Sequence, residues 1–530
     1  DAQTAAITGQ ISAATALTLQ GAGYTESGAG AIAAQTLTAG AGNLSGGLAL
    51  GGNNAIGTLG ALSAGGNVTL NDAQALTIAG LVSTPGTLNL SASGAVNEAA
   101  GGALDVTQLS GTAGGNVALA GANSIGTLGA LGAAGNIVLD DTGTMTLGGA
   151  VSAGTSLALA ANGLLAGGGS LSAGTIALAP YNNGAIDLGG SAVSGLQLSQ
   201  SLVSELDPAA VVILGSAAGH TANSIFSEGA VSFANALATL EGTGGISQTG
   251  TLTGHAITLT GTSLALDGVV NATSLALAAS GAISQASTGA LDVTQLGGTA
   301  GGNVSLAGAN NIGTLGALSA TGTINLQDST ALDVAGAVSA AVITLAAAGL
   351  DLASQISTSS LAVLNSSGSL SQSGGKLTAV TLAGSIANNA SLNGTQNSIG
   401  TLAGFTAGGT LSLTDQTALT QTGSLAAASI TLTGTSLALE GTESATTMAL
   451  DATSGISQAG TGVLSVATLS SNTTPSGAIL LGGTANAIGT LGALAGGQNI
   501  FIADSQTAAI TGLVSAGTAL TLQGVGFTES

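Results

Sequence analysis

Along the whole chain, short runs alternate apolar Val, Leu, Ile and Ala with polar Thr, Asn and Ser. In "NVTL" (Asn67–Leu70) the alternation points Val68 and Leu70 to one face and Asn67 and Thr69 to the other. Period two marks a strand with one buried side, and the β-branched residues suit its pleat. No i, i+3, i+4, i+7 apolar stripe is sustained, and Gly interrupts nearly every ten residues, so helices are not expected. The runs also keep a beat. They end on Leu50, Leu70 and Leu90, then on Leu119, Leu139 and Leu159, 20 residues apart each time. Gly with Ser or Asn fills the corners between them.

Longer copies lie on the same beat. "GALDVTQLSGTAGGNVALAGANSIGTLGAL" (Gly102–Leu131) returns at Gly289–Leu318 with 27 of 30 positions identical. The phrase "IGTL" starts at Ile56, Ile125, Ile312, Ile399 and Ile488, and Asp504–Ser530 repeats Asp1–Ser27 at 21 of 27 positions. A turn of this length cannot bury its own apolar side, so it must stack on its neighbours. The expected fold is therefore all-β: a parallel β-helix (β-solenoid) with coils of about 19–20 residues, right-handed by the crossover rule. Leu and Val belong inside its ladders, with Asn and Thr at corners or outside. Residues 1–179 read as shaft and residues 241–530 as its continuation. Between them, residues 180–240 break the beat with Pro180, Tyr181, Pro208, His220, Phe226 and Phe233. They are expected to form irregular coils with a protruding loop near Ser204–Pro208.

Composition narrows the function. Lys376 is the only basic residue against 23 Asp and Glu, giving a net charge of −22. No basic face for nucleic acid or anionic lipid can be built from that. Apolar runs such as Ala209–Gly215 are far shorter than the ~20 residues of a spanning helix, so membrane insertion is not expected. The chain lacks Cys, which suits export unfolded through an oxidising compartment. It also lacks an initial Met and a visible signal peptide, and so reads as a processed or internal piece.

The pattern G-x-V-S-A-G-T-x-L-x-L at Gly149–Leu159, with "GNVTL" (Gly66–Leu70) and "GNVAL" (Gly115–Leu119), resembles the shafts of filamentous-haemagglutinin-like exoproteins. That resemblance implies a large adhesin exported by two-partner secretion in Gram-negative bacteria. It further implies a right-handed parallel β-helix working in adhesion, aggregation and biofilm. The family's secretion domain carries Asn-Pro motifs and this chain has no Asn-Pro pair, so the segment would be shaft and not export signal.

Candidate chemistry is sparse. A lyase needs cations to neutralise uronate, and Lys376 stands alone. The one acidic doublet, Asp140–Asp141, reads as a solvated turn, because strand neighbours point to opposite faces. His220 and His255 lack metal-ligand spacing and read as structural or exposed. No catalytic, cofactor-binding or metal residue is proposed, and no enzyme activity or cofactor is expected. The reading is a structural shaft of a secreted or cell-surface adhesin, with a self-assembling extracellular filament and a carbohydrate-binding or carbohydrate-active β-helix as alternatives. Expected partners are further copies of the repeat, adjoining parts of a longer chain, and host or neighbouring-cell glycans.

Overall fold

A computed structural model describes residues 3–190, 195–206, 210–234 and 236–529. At 70% strand and 1% helix, in about 26 turns, it is the parallel β-solenoid that the alternation calls for. The chain divides into two compact units, Asp1–Ala276 and Leu277–Ser530.

In the first unit, Ile137–Leu147 and Ala150–Ala153 make one turn, and Ser156–Ala166 and Ser170–Ser172 make the next. Ile137 pairs with Leu157, Leu139 with Leu159, Met145 with Leu164, and Val151 with Leu171. In the second unit Ile343 pairs with Ala362, Ala362 with Leu382, and Leu382 with Leu402. These are steps of 19 or 20 residues, one per turn. Every residue of these ladders is buried, and each large one contributes about 1.5–3 kcal/mol by leaving water. Val68 and Leu70 face inward, as their alternation requires. Turns press so closely that a Cβ on Gly111 would sit 1.8 Å from the Leu90 carbonyl oxygen, which only Gly tolerates.

The recurring Ile-Gly-Thr-Leu phrase marks a buried joint. Two residues before each Ile stands an Asn (Asn54, Asn123, Asn310, Asn397, Asn486), and all five are 0% exposed. This corrects the expectation that Asn keeps to corners and outer faces. At Asn310, Oδ1 accepts from the Leu291 amide at 2.9 Å, while Nδ2 donates to the carbonyls of Leu306 at 3.2 Å and Gln327 at 2.9 Å. One side chain thus ties its own turn to the turns on either side. Eighteen residues after each Asn comes an Asp (Asp72, Asp141, Asp328, Asp415, Asp504), whose carboxylate accepts the amide of the Ile two places after the Asn. From the preceding turn, Glu26, Glu98, Gln285, Gln372 or Gln458 completes the joint, accepting from the Asn side-chain amide. Burial pushes the carboxyls of Asp72, Asp141, Asp328 and Asp415 upward, and the amides they accept pull them back.

Replacing Asn310 with Leu takes away the acceptor of both the Leu291 amide and the Gln285 side-chain N–H inside the stack. Each orphaned group costs about 1–3 kcal/mol, so N310L should lower unfolding free energy by about 3 kcal/mol or more in urea titrations. The exposed neighbour change Asn311→Ala should move it by less than about 0.5 kcal/mol.

Candidate functional site

The break foreseen near residues 180–240 is where the pairing step lengthens. Ile176 pairs with Val212, 36 residues on, and Val212 with Ala238, 26 on. The first excess holds two short parallel strands, Ala185–Leu188 and Gly195–Leu198. A one-turn helix, α1 (Gln200–Val203), follows, capped by the Ser199 hydroxyl accepting from the Leu202 amide. Leu206 then bridges in parallel to Leu171. Of the loop expected near Ser204–Pro208, Ser204 caps α1 and Leu206 rejoins the stack, while Asp207 and Pro208 lie outside the described residues. Beside α1 a cavity of about 210 Å³ is lined, among the described residues, by apolar and neutral polar side chains such as Val203, Val212 and Phe233.

The second excess contains an antiparallel hairpin, Ser216–Ala217 with His220–Thr221. Its two loop residues have positive φ, 54° at Ala218 and 87° at Gly219, as the tight turns that match strand twist require. The hairpin lies against the outer side of the strands at Ser156–Ala166 and Thr175–Ala179. Asp140, Ala160 and Ala179 follow the inward Leu139, Leu159 and Leu178, so their alternation points them outward; they are nevertheless 4%, 0% and 0% exposed.

His220 anchors this cover. Its Nε2 lies 3.4 Å from Asp140 Oδ2, and its ring packs on Tyr181 with centroids 4.7 Å apart. The other Asp140 oxygen has no partner. Burial pushes the Asp140 carboxyl upward while His220 pulls it down. Asp141, on the other side of the strand, accepts the Ile125 and Gly143 amides. The doublet expected as a solvated turn is therefore buried within Ile137–Leu147, one carboxyl under the hairpin and one in an inter-turn joint. Asp141 keeps the inward parity of Ile137 and Leu139, and the pairing shifts register just after it, between Asp141 and Thr144. His255 is exposed.

Two further features stand apart from the break. A groove of about 730 Å³ surrounds Lys376, lined by Gln355, Ser373, Thr395 and Gln396 among others. Glu443 occupies an interior ladder position between Leu425 and Leu464. Both its carboxylate oxygens lack partners, and burial pushes its pKa up to about 8. Nothing in the sequence around "GTESA" (Gly441–Ala445) sets this Glu apart from a surface one.

Chemically, Asp140 and His220 form one carboxylate–imidazole pair stacked on a phenol ring, an arrangement suited to pinning a hairpin. Among the described residues, no group of three or more His, Asp or Glu side chains is placed to hold a metal ion. Comparison of the chain with protein-family models, with curated proteins and with solved structures returns no match.

His220→Ala should release the hairpin, raising amide exchange at Ser216–Thr221 while leaving the ladder at Ile137–Leu159 protected. Glu443 gives a pH signature. Its folded carboxyl holds a proton more tightly than the unfolded one, so its contribution is full below about pH 4.5 and fades as pH rises towards 8. Unfolding free energies of wild type from urea titration should fall across that window, at about 1.4 kcal/mol per pH unit where steepest. Glu443→Gln should flatten this decline.

Proposed function

We propose that the chain is a structural shaft segment of a large secreted or surface-displayed repeat adhesin, serving cell adhesion, aggregation or biofilm. The observation that supports this best is the five-fold recurrence of the buried Asn joint, each binding three successive turns. Such joints resist peeling of one turn from the next, which is what a load-carrying stalk needs and what an active site does not. The resemblance of Gly149–Leu159 to haemagglutinin-like shafts points the same way. In this reading the partners are further repeats and adjoining chain, held edge to edge by the same parallel pairing.

One observation favours a second reading, carbohydrate binding. The Lys376 groove presents an ammonium and several amide and hydroxyl groups, which suits a polyhydroxylated, acidic glycan.

Optical-trap pulling along the chain distinguishes the two. A shaft should extend in steps, with turns released in groups between joints, and N310L should lower the force of one group. A single low-force rupture of everything overturns the shaft reading. A glycan array on which wild type binds uronate- or sialate-containing sugars, and Lys376→Ala does not, would establish the carbohydrate reading.

A further inference from the structure

The five joints are not chemically equal. In three of them the residue from the preceding turn is Gln, and its amide forms a cyclic pair with the Asn amide. Gln285 Nε2 donates to Asn310 Oδ1 at 2.8 Å while Asn310 Nδ2 donates to Gln285 Oε1 at 3.1 Å. Gln372 with Asn397 and Gln458 with Asn486 repeat both bonds. The Gln oxygen also accepts a Gly amide, from Gly308, Gly394 or Gly483.

In the two joints of the first unit a Glu stands in that place. Glu98 Oε2 accepts from the Gly121 amide at 2.6 Å and from Asn123 Nδ2 at 3.2 Å, which are the two bonds made by the Gln oxygen. Glu98 Oε1 therefore occupies the site of the Gln nitrogen, and it is buried with no partner. The matching oxygen of Glu26 is buried and unpartnered too. Asn123 Oδ1 is an acceptor only and takes the Leu104 amide, and the contacts of Nδ2 with Glu98 and the Leu119 and Asp140 carbonyls fix the amide in that orientation. An unpartnered Glu98 oxygen and an Asn123 oxygen that accepts only the Leu104 amide thus stand where the other joints hold an N–H···O bond.

We propose that the joint at Glu98 and Asn123 is a protonation-gated lock between turns, closed when Glu98 carries a proton on Oε1 and donates it to Asn123 Oδ1. A carboxylic acid then forms with the carboxamide the same cyclic pair that Gln forms in the second unit. When the proton leaves, an ionised carboxylate faces an amide oxygen without a donor between them, and the pair loses one of its two bonds. The surroundings favour the acid. Burial pushes the Glu98 carboxyl above the usual range, the Gly121 amide and Asn123 pull it down, and the Asp140 carboxylate pushes it up again. Asp140, through it His220, and Asp141, which pairs beside Asn123 and holds the Ile125 amide, are the titratable groups at this site. The sign follows: the lock is fully closed below the ordinary Glu value of 4.5 and opens as pH rises through the higher folded value. The Glu98 joint would accordingly hold its turns more firmly in acid than at neutral pH, whereas the Gln–Asn pairs of the second unit do not titrate.

The test compares wild type with Glu98→Gln and Glu98→Ala in the full chain, by amide hydrogen exchange at Leu104 and Gly121 from pH 4.5 to 8. Leu104 N–H is bound by Asn123 Oδ1 and Gly121 N–H by Glu98. At pH 8 those amides should exchange roughly tenfold faster in wild type than in E98Q, and the two proteins should converge towards pH 4.5. E98A, which can form neither bond, should exchange faster than E98Q at every pH. Difference infrared spectra of wild type minus E98Q at pH 4.5 should contain a protonated-carboxyl C=O band. Equal exchange in wild type and E98Q at all pH values, or a difference that does not change with pH, overturns the proposal, as does the absence of that band. An E98Q that fails to fold would equally overturn it, because Gln is the residue that the same joint uses three times.

Discussion

A parallel strand in this protein can satisfy its backbone only through the turns before and after it. Along Ile137–Leu147 the ladder partners lie about 20 residues away in the neighbouring turns, and at the break in pairing the Gly143 amide turns to the Asp141 side chain. Position in the stack, and not any local preference, therefore decides whether a residue is stable where it stands. The small side chains follow from this. Turns separated by the strand spacing leave room for Leu and Val inside and for little else at the tightest corners, such as Gly111 over Leu90. The same dependence leaves the corners exposed to failure, because a chain that changes direction carries amides that no ladder reaches.

The Asn joints answer that difficulty with side chains in place of backbone. Asn supplies an acceptor and a two-proton donor on a short stem, so it can serve three turns from inside. Asp follows eighteen residues later and takes up the Ile amide that the change of direction has freed. Since most of these carboxyls are engaged with backbone amides inside the stack, the acidic count of the sequence overstates how much charge faces water. His220 and Asp140 do comparable work at one place on the outside, where a hairpin rather than another turn covers the wall.

Much of this was readable in advance, and the failures share one cause. Val68 and Leu70, the 20-residue beat and the small-residue corners led directly to a parallel solenoid, because period two and stacking leave few alternatives. The interruption between Pro180 and Leu240 was legible from its prolines and aromatic residues. Asn54, Asn123 and Asn310 stand four residues after an inward Leu and two before an inward Ile, so they keep the inner parity, and the pairing breaks beside them. What the sequence hid was the set of partners from neighbouring turns that lets an Asn stay inside. Asp140 and Asp141 were misplaced for a related reason: the hairpin covering one and the joint holding the other come from distant turns. The available signal lay in spacing, since every Asn-x-Ile-Gly-Thr-Leu is followed by an Asp at the eighteenth residue. Glu443 left no such trace, because only its neighbours Leu425 and Leu464 reveal that it lies inside.

The joints also constrain how such a chain can grow. Repeats multiply by unequal exchange between similar stretches, and the near-identical Gly102–Leu131 and Gly289–Leu318 have the look of such an event. Each copy holds the central Asn but neither of its flanking partners, which lie outside the matched residues. An exchange that broke between Glu98 and Asp141, or between Gln285 and Asp328, without restoring a partner would strand a buried amide and be lost through instability. Tolerated crossovers are those in register, which give each joint's Asn a Glu or Gln before it and an Asp after it from either copy. The hydrogen bonds thus impose a reading frame on recombination.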